Sequence, residues 1–185
     1  MSEIIRRPVI RKTFNVIRSS AELERIIPSL PDGECYKIVS GGNFASISFI
    51  RLVGGKTKIK ELTASTLRVG KKELQQLDLM AKNGRIASAS FVVGNVMKHD
   101  SKKGLAYGYY DNFECVCRRN GWSYCVSKNH SKLILMDTET GKFVLETSSN
   151  LNENPNIEQF SFEKDESLYD FYYEFLQKIL RCGNG

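Results

Sequence analysis

The chain has 185 residues, 41% of them hydrophobic and 26% charged, which is enough for one sizeable core and short for two. The composition is that of a folded globular domain, with no polar or repetitive tract, no apolar block of signal-peptide type near the N-terminus and no window approaching the ~18 apolar residues of a membrane span. The net charge is +6 and uneven: from Leu151 onward three basic residues face seven acidic ones, so residues 1–150 carry +10. These values point away from an exported or membrane-embedded protein and toward a cytoplasmic one with a polyanionic partner such as nucleic acid.

Residues 1–18 form a basic segment carrying Arg6, Arg7, Arg11, Lys12 and Arg18. Residues 21–27 follow the capping candidates Ser19 and Ser20 and are expected to be helical. Alternating or β-rich apolar runs then predict strands over 35–40, 45–52 and 58–69, with the Gly-Gly pairs at 41–42 and 54–55 as turns. Gly55-Lys56-Thr57 resembles the end of a phosphate-binding loop, but position 50 is isoleucine where that motif requires glycine. Leu74, Leu77, Leu79 and Met80 mark a helix over 71–82 that Asn83-Gly84 stops, and a strand follows over 85–94. His99, in Lys98-His99-Asp100-Ser101-Lys102, is expected on a solvated loop.

Residues 105–120 form a third helix candidate, and strands are expected over 123–127, 133–137 and 142–146. The stripe of Leu168, Phe171, Tyr172, Phe175, Leu176, Ile179 and Leu180 predicts an amphipathic C-terminal helix over 166–181, packed against the core. Strands alternating with helices imply an α/β fold in a single domain spanning 1–185, with a mixed β-sheet flanked by helices on both faces. Five cysteines, an odd number, favour reduced thiols, and the spacing of Cys115, Cys117, Cys125 and His130 matches no common zinc pattern. No metal or other cofactor is expected.

The chemistry concentrates between His130 and Glu158. Alternate residues of a strand share a face, so His130 and Lys132 project together, as do Ser148 and Asn150 on the following strand. A three-residue hairpin loop, Glu139-Thr140-Gly141, puts Thr138 opposite Lys142, Lys132 opposite Ser148 and His130 opposite Asn150. Imidazole, ammonium, hydroxyl and carboxamide then share one face. Together they can bind a phosphoryl group and attack it: lysine neutralises the anion, serine and asparagine donate to its oxygens, and histidine serves as nucleophile. Asp137 has the opposite parity to Lys132 and is expected to support the hairpin.

The spacing His130-x-Lys132-x4-Asp137, followed by Ser148-x-Asn150, resembles the His-Lys-Asp signature of the phospholipase D superfamily. The resemblance covers about thirty residues; Thr147 stands where that family has glycine, and the hairpin is three residues longer. It implies a metal-independent phosphodiesterase in which His130 forms a phosphohistidine, Lys132, Ser148 and Asn150 bind the phosphate, and Glu158 orients the histidine. Members of the family use two copies of the motif, and His99 has none of the surrounding pattern. The resemblance therefore implies a homodimer that completes the site at a twofold axis. An endonuclease acting on DNA is the leading expectation. A phospholipid-directed phosphodiesterase or transferase, and a non-catalytic nucleic-acid-binding member of the fold, stand beside it.

Overall fold

The structure is a computed structural model that describes residues 11–42, 44–103, 109–153 and 155–182. Along the chain the elements are β1 (Arg11–Ile17), α1 (Ser20–Ile26), β2 (Glu34–Ser40), α2 (Ile47–Lys56), β3 (Ile59–Thr66), α3 (Lys71–Lys82) and β4 (Ile86–Gly94). There follow α4 (Asn95–Lys102), α5 (Tyr110–Asn120), β5 (Ser123–Ser127), β6 (Leu133–Thr138), β7 (Gly141–Thr147), β8 (Glu158–Lys164) and α6 (Glu166–Cys182). The strands form one sheet in the order β1-β2-β8-β7-β6-β3-β4-β5. Parallel pairs, β1 with β2 on one side and β3 with β4 and β4 with β5 on the other, flank an antiparallel centre of β8, β7 and β6. The fold is a mixed α/β sheet with helices on both faces.

Alternation along the strands divides the core in two. One face buries Ile38, Leu62, Ala64, Phe91, Ile134, Phe143, Phe160 and Phe162 against Leu23 of α1, Phe49 and Ile50 of α2, Leu74 and Leu77 of α3 and Phe113 of α5. The other face presents Val92, Cys125, Leu135 and Val144 to Tyr169, Leu176 and Leu180 of α6. Phe49 lies 5.3 Å, centroid to centroid, from both Phe160 and Phe162, and Phe143 stacks on Phe162 at 5.9 Å. Each such aromatic pair adds about 0.5–1.5 kcal/mol beyond the area it buries.

The helix begun at Ser19 forms as its cap requires, the Ser19 hydroxyl accepting the Glu22 N–H at 3.3 Å. Residues 45–52, expected as a strand, belong largely to α2. Ile47, Ser48, Phe49, Ile50, Leu52 and Val53 are all buried, so only a narrow side at Arg51 and Gly55 meets solvent, and the aromatic and β-branched residues imitate a strand. Gly54-Gly55 is accordingly no turn but the last stretch of α2. A Cβ at Gly54 would lie 2.5 Å from Met80 Cε, the flexible end of a side chain on α3, so the bare glycine is where that side chain rests. Gly41-Gly42 does turn, with Gly42 at φ 104°.

His99 lies on α4, not on a loop; its side chain is exposed, with Nδ1 3.8 Å from Asp100. Two strands escaped the sequence reading, β1 within the basic N-terminal segment and β8 after Ile157. Residues 1–10 and 105–108 lie outside the described residues. Among the described residues no helix is long and apolar enough to cross a membrane.

Candidate active site

Three segments carrying the sequence-predicted residues converge at one edge of the sheet, beyond the carboxyl ends of β3, β4 and β5. His130 and Lys132 precede β6, Ser148 and Asn150 follow β7, and Glu158 opens β8. In open α/β sheets ligands bind at such edges, where loops are free of the hydrogen-bond ladder.

The hairpin that feeds the site differs from the expected one by one residue. The pairs run Thr138 with Gly141, Asp137 with Lys142 and Leu133 with Glu146, so the turn holds only Glu139 and Thr140. Thr138 causes the tightening, because its hydroxyl donates to the Gly141 carbonyl at 2.7 Å and accepts the Thr140 N–H at 3.1 Å. Gly141 has φ 138°, a conformation that favours glycine. Lys132 is therefore level with Thr147, whose N–H donates to the Lys132 carbonyl at 3.2 Å. The expected pairings of Lys132 with Ser148 and His130 with Asn150 do not occur.

Strand β7 ends at Thr147, and beyond it side chains no longer follow strand parity. Thr147 folds its hydroxyl back to accept the Ser149 N–H at 2.9 Å, a local turn that re-aims the next residues. Ser148 donates to the Glu158 carboxylate and accepts the Gln159 N–H at 3.0 Å. Lys132 donates to the His130 carbonyl at 2.6 Å and meets His130 Nδ1 at 3.0 Å. Burial pulls the Lys132 ammonium below the usual lysine range, opposed by the attraction of Glu158. His130 and Lys132 thus touch, as do Ser148 and Glu158, and electrostatic attraction between Lys132 and Glu158 links the two pairs, with an exposed imidazole at one end and a nearly buried carboxylate at the other.

Asn150 sits differently. Its carboxamide oxygen accepts the Leu67 N–H at 3.2 Å and faces the Thr66 hydroxyl at 3.5 Å, which anchors the loop after β7 to the end of β3. Thr66 also accepts the Leu151 N–H at 3.1 Å. Asp137 lies at the far end of β6 and pairs with Lys60 at 2.9 Å, bracing β6 against β3.

Several supporting residues carried no signal in the sequence. The Asn129 amide donates to the Ser65 hydroxyl at 2.9 Å, the Thr66 carbonyl at 3.2 Å and the Val92 carbonyl at 2.9 Å. Its oxygen accepts from the Ser131 N–H at 3.0 Å and hydroxyl at 2.8 Å. Asn129 therefore clamps the segment bearing His130 across the ends of β3 and β4. Gly94 makes this crossing possible, since a Cβ there would lie 2.8 Å from the Leu67 carbonyl oxygen and 3.0 Å from that of Asn129. Glu73, buried on α3, accepts the Glu153 N–H at 3.2 Å and holds the loop beyond Asn150. Burial raises its carboxyl above the usual range.

The mixed α/β fold is shared with solved structures of low sequence identity. Superposition on polyphosphate kinase from Porphyromonas gingivalis covers 85% of this chain and 28% of that one, at 16% identity and a TM-score of 0.62. Phosphatidylserine synthase from Haemophilus influenzae Rd KW20 gives 80% and 39%, at 13% identity and a TM-score of 0.52. The chain thus spans well under half the length of either structure. No protein-family model matches it, and no curated protein sequence does so.

Proposed function

We propose that this chain is a metal-independent phosphodiesterase that transfers a phosphoryl group through a phosphohistidine at His130, and that it acts as an endonuclease on DNA. The observation that carries this reading is the grouping of His130, Lys132, Glu158 and Ser148 at the sheet edge of a phospholipase-D-like fold. Its exposed end suits an anionic substrate, and the +10 charge of residues 1–150 favours a nucleic-acid backbone over a neutral one.

The chemistry follows from these contacts. With Lys132 donating to Nδ1, the neutral imidazole carries its proton on Nε2. A phosphate oxygen competes for the ammonium, and once Lys132 turns to it Nδ1 is free to take the ring proton. We assign Glu158, which attracts Lys132 in the resting site, as the carboxylate toward which the ring turns its Nδ1–H, stabilising the tautomer whose Nε2 attacks phosphorus. The Ser148 hydroxyl, turning from Glu158, and the amide nitrogen of Asn150 donate to the non-bridging oxygens as charge builds on them. The P–O bond breaks as the N–P bond forms, and the departing oxygen takes a proton from a second imidazole, the partner subunit's His130 in a twofold dimer. Water, deprotonated by that same imidazole, then cleaves the phosphohistidine and restores both rings.

Incubation with plasmid, single-stranded DNA and RNA in excess EDTA, beside His130→Ala, tests the proposal. Cleavage in EDTA that the substitution abolishes is the expected result, and sedimentation should report a dimer. A protein that binds these polymers without cleaving them would be a binding module of the same fold. A strict monomer that cleaves would refute the shared site.

A further inference from the structure

One cross-strand row on the α6 face runs through the whole sheet: Phe14 pairs with Lys37, Lys37 with Ser161, Ser161 with Glu146, Glu146 with Leu133, Leu133 with Ser65, Ser65 with Val92 and Val92 with Cys125. At the β5 end of this row α6 covers Val92 and Cys125. At the β1 end the face is open. Phe14 and Val16 are each 74% exposed, and Val39, paired with Val16, is 42% exposed. Lys12 has the same parity as Phe14 and Val16 and is exposed beside them. This open half forms a groove of about 680 Å³ bounded by Phe14, Val16, Lys37, Val39 and Gln159, and it ends at Lys132.

An edge strand that exposes a phenylalanine and two cations leaves apolar surface in water at a cost, and here that surface lies beside the phosphate-binding lysine. The charges in the groove favour a polyanion. The Lys37 ammonium has a neutral partner, the Ser161 hydroxyl at 2.6 Å, and the Glu146 carboxylate takes the Tyr172 hydroxyl. An aromatic face flanked by Lys12, Lys37 and Lys132 matches what a flexible polyanion with flat, unpaired bases offers: phosphates for the ammonium groups and a base for the ring. In a duplex the base faces are hidden, so a stacking platform discriminates by strandedness.

We infer that the open half of the sheet is a stacking platform for single-stranded nucleic acid, in which Phe14 takes an unpaired base and Lys37 the adjoining phosphate of a strand whose scissile phosphate lies at Lys132. The inference rests on the nucleic-acid reading of the site and adds to it a strand preference and a subsite on β1.

The test is fluorescence anisotropy with a short fluorescein-labelled oligodeoxythymidylate and a duplex of equal length. Wild type should bind the single strand more tightly, and Phe14→Ala should lose roughly tenfold for the single strand alone. Lys37→Ala should lower the salt dependence by about one phosphate contact. In Phe14→Trp binding should persist and quench the new indole, which is exposed where Trp122, the native tryptophan, is buried. Hydrolysis of bis(p-nitrophenyl) phosphate judges the catalytic reading separately. It should be equal in wild type and Phe14→Ala, and its absence from both would remove the enzyme while leaving the binding result to decide the platform. Equal affinity for single strand and duplex, or unchanged affinity in Phe14→Ala, would overturn the inference. So would a Phe14→Ala protein that loses self-association or vesicle binding in place of oligonucleotide binding.

Discussion

Replacing Asn129 with alanine should destabilise the protein more than its partly exposed position suggests. The side chain supplies two amide hydrogens to three acceptors at the ends of β3 and β4 and accepts two bonds from Ser131. Ser131 is exposed, so water can replace those two bonds. The acceptors on Ser65, Thr66 and Val92 lie where β3 and β4 pack together, and alanine leaves them without that donor. Two bonds at about 1 kcal/mol each give a loss of about 2 kcal/mol. For a domain of this size that lowers Tm by about 4–8 °C, read by circular dichroism. Asn129→Asp should lose nearly as much, because the carboxylate keeps the acceptor for Ser131 and removes both donors. A melt of Asn129→Ala within about 1 °C of wild type would show that the contacts across the strand ends contribute nothing, and with them would go the account of how His130 is held.

Gly94→Ala should also be destabilising, by about 1–3 kcal/mol in urea melts, because its Cβ meets the carbonyl oxygens of Leu67 and Asn129, and backbone cannot step aside as a flexible side chain can. Glu73, raised by burial, contributes most when protonated and loses that contribution as pH rises through its folded-state value. Glu73→Gln should therefore melt above wild type near neutrality, with the gap closing as pH falls below the ordinary carboxylate range. Asp137→Ala should lower stability by about 0.5–1 kcal/mol through its half-exposed pair with Lys60 and leave the cleavage rate intact, whereas Lys132→Ala should lower the rate with little change in Tm. The alkaline limb of the rate should fall below the usual lysine range, following the ammonium of Lys132.

Much of this was legible in the sequence for a physical reason: periodicity reports burial. The C-terminal helix and α3 each present one apolar and one polar face, and β3 to β7 are short β-rich apolar runs bounded by polar turns, so their patterns follow. Helix α2 hid because burial on nearly all sides erases periodicity. Strand β1 hid for the opposite reason, as an edge strand whose exposed residues include Phe14 and Val16. At the site the residue types were legible but not their register, since a hairpin of two or three residues depends on one threonine hydroxyl at position 138. Asn129, Gly94 and Glu73 were silent because the groups they meet, on β3, on β4 and in the loops beyond β3, β5 and β7, lie far away in sequence.

The strand order also sets when the parts of the molecule can assemble. Strand β2 acquires its inner neighbour only from β8, with Cys35 facing Glu163, so the β1-α1-β2 unit has no place in the sheet until β8, more than a hundred residues further on, has been made. Closing so long a loop is entropically costly before any contact repays it, which points to slow folding limited by the docking of this first unit. On the ribosome, β2 would present an unpaired inner edge, carrying Ile38 and Tyr36, until β8 has emerged. Its safe passage depends on the last strand arriving before another chain's edge does.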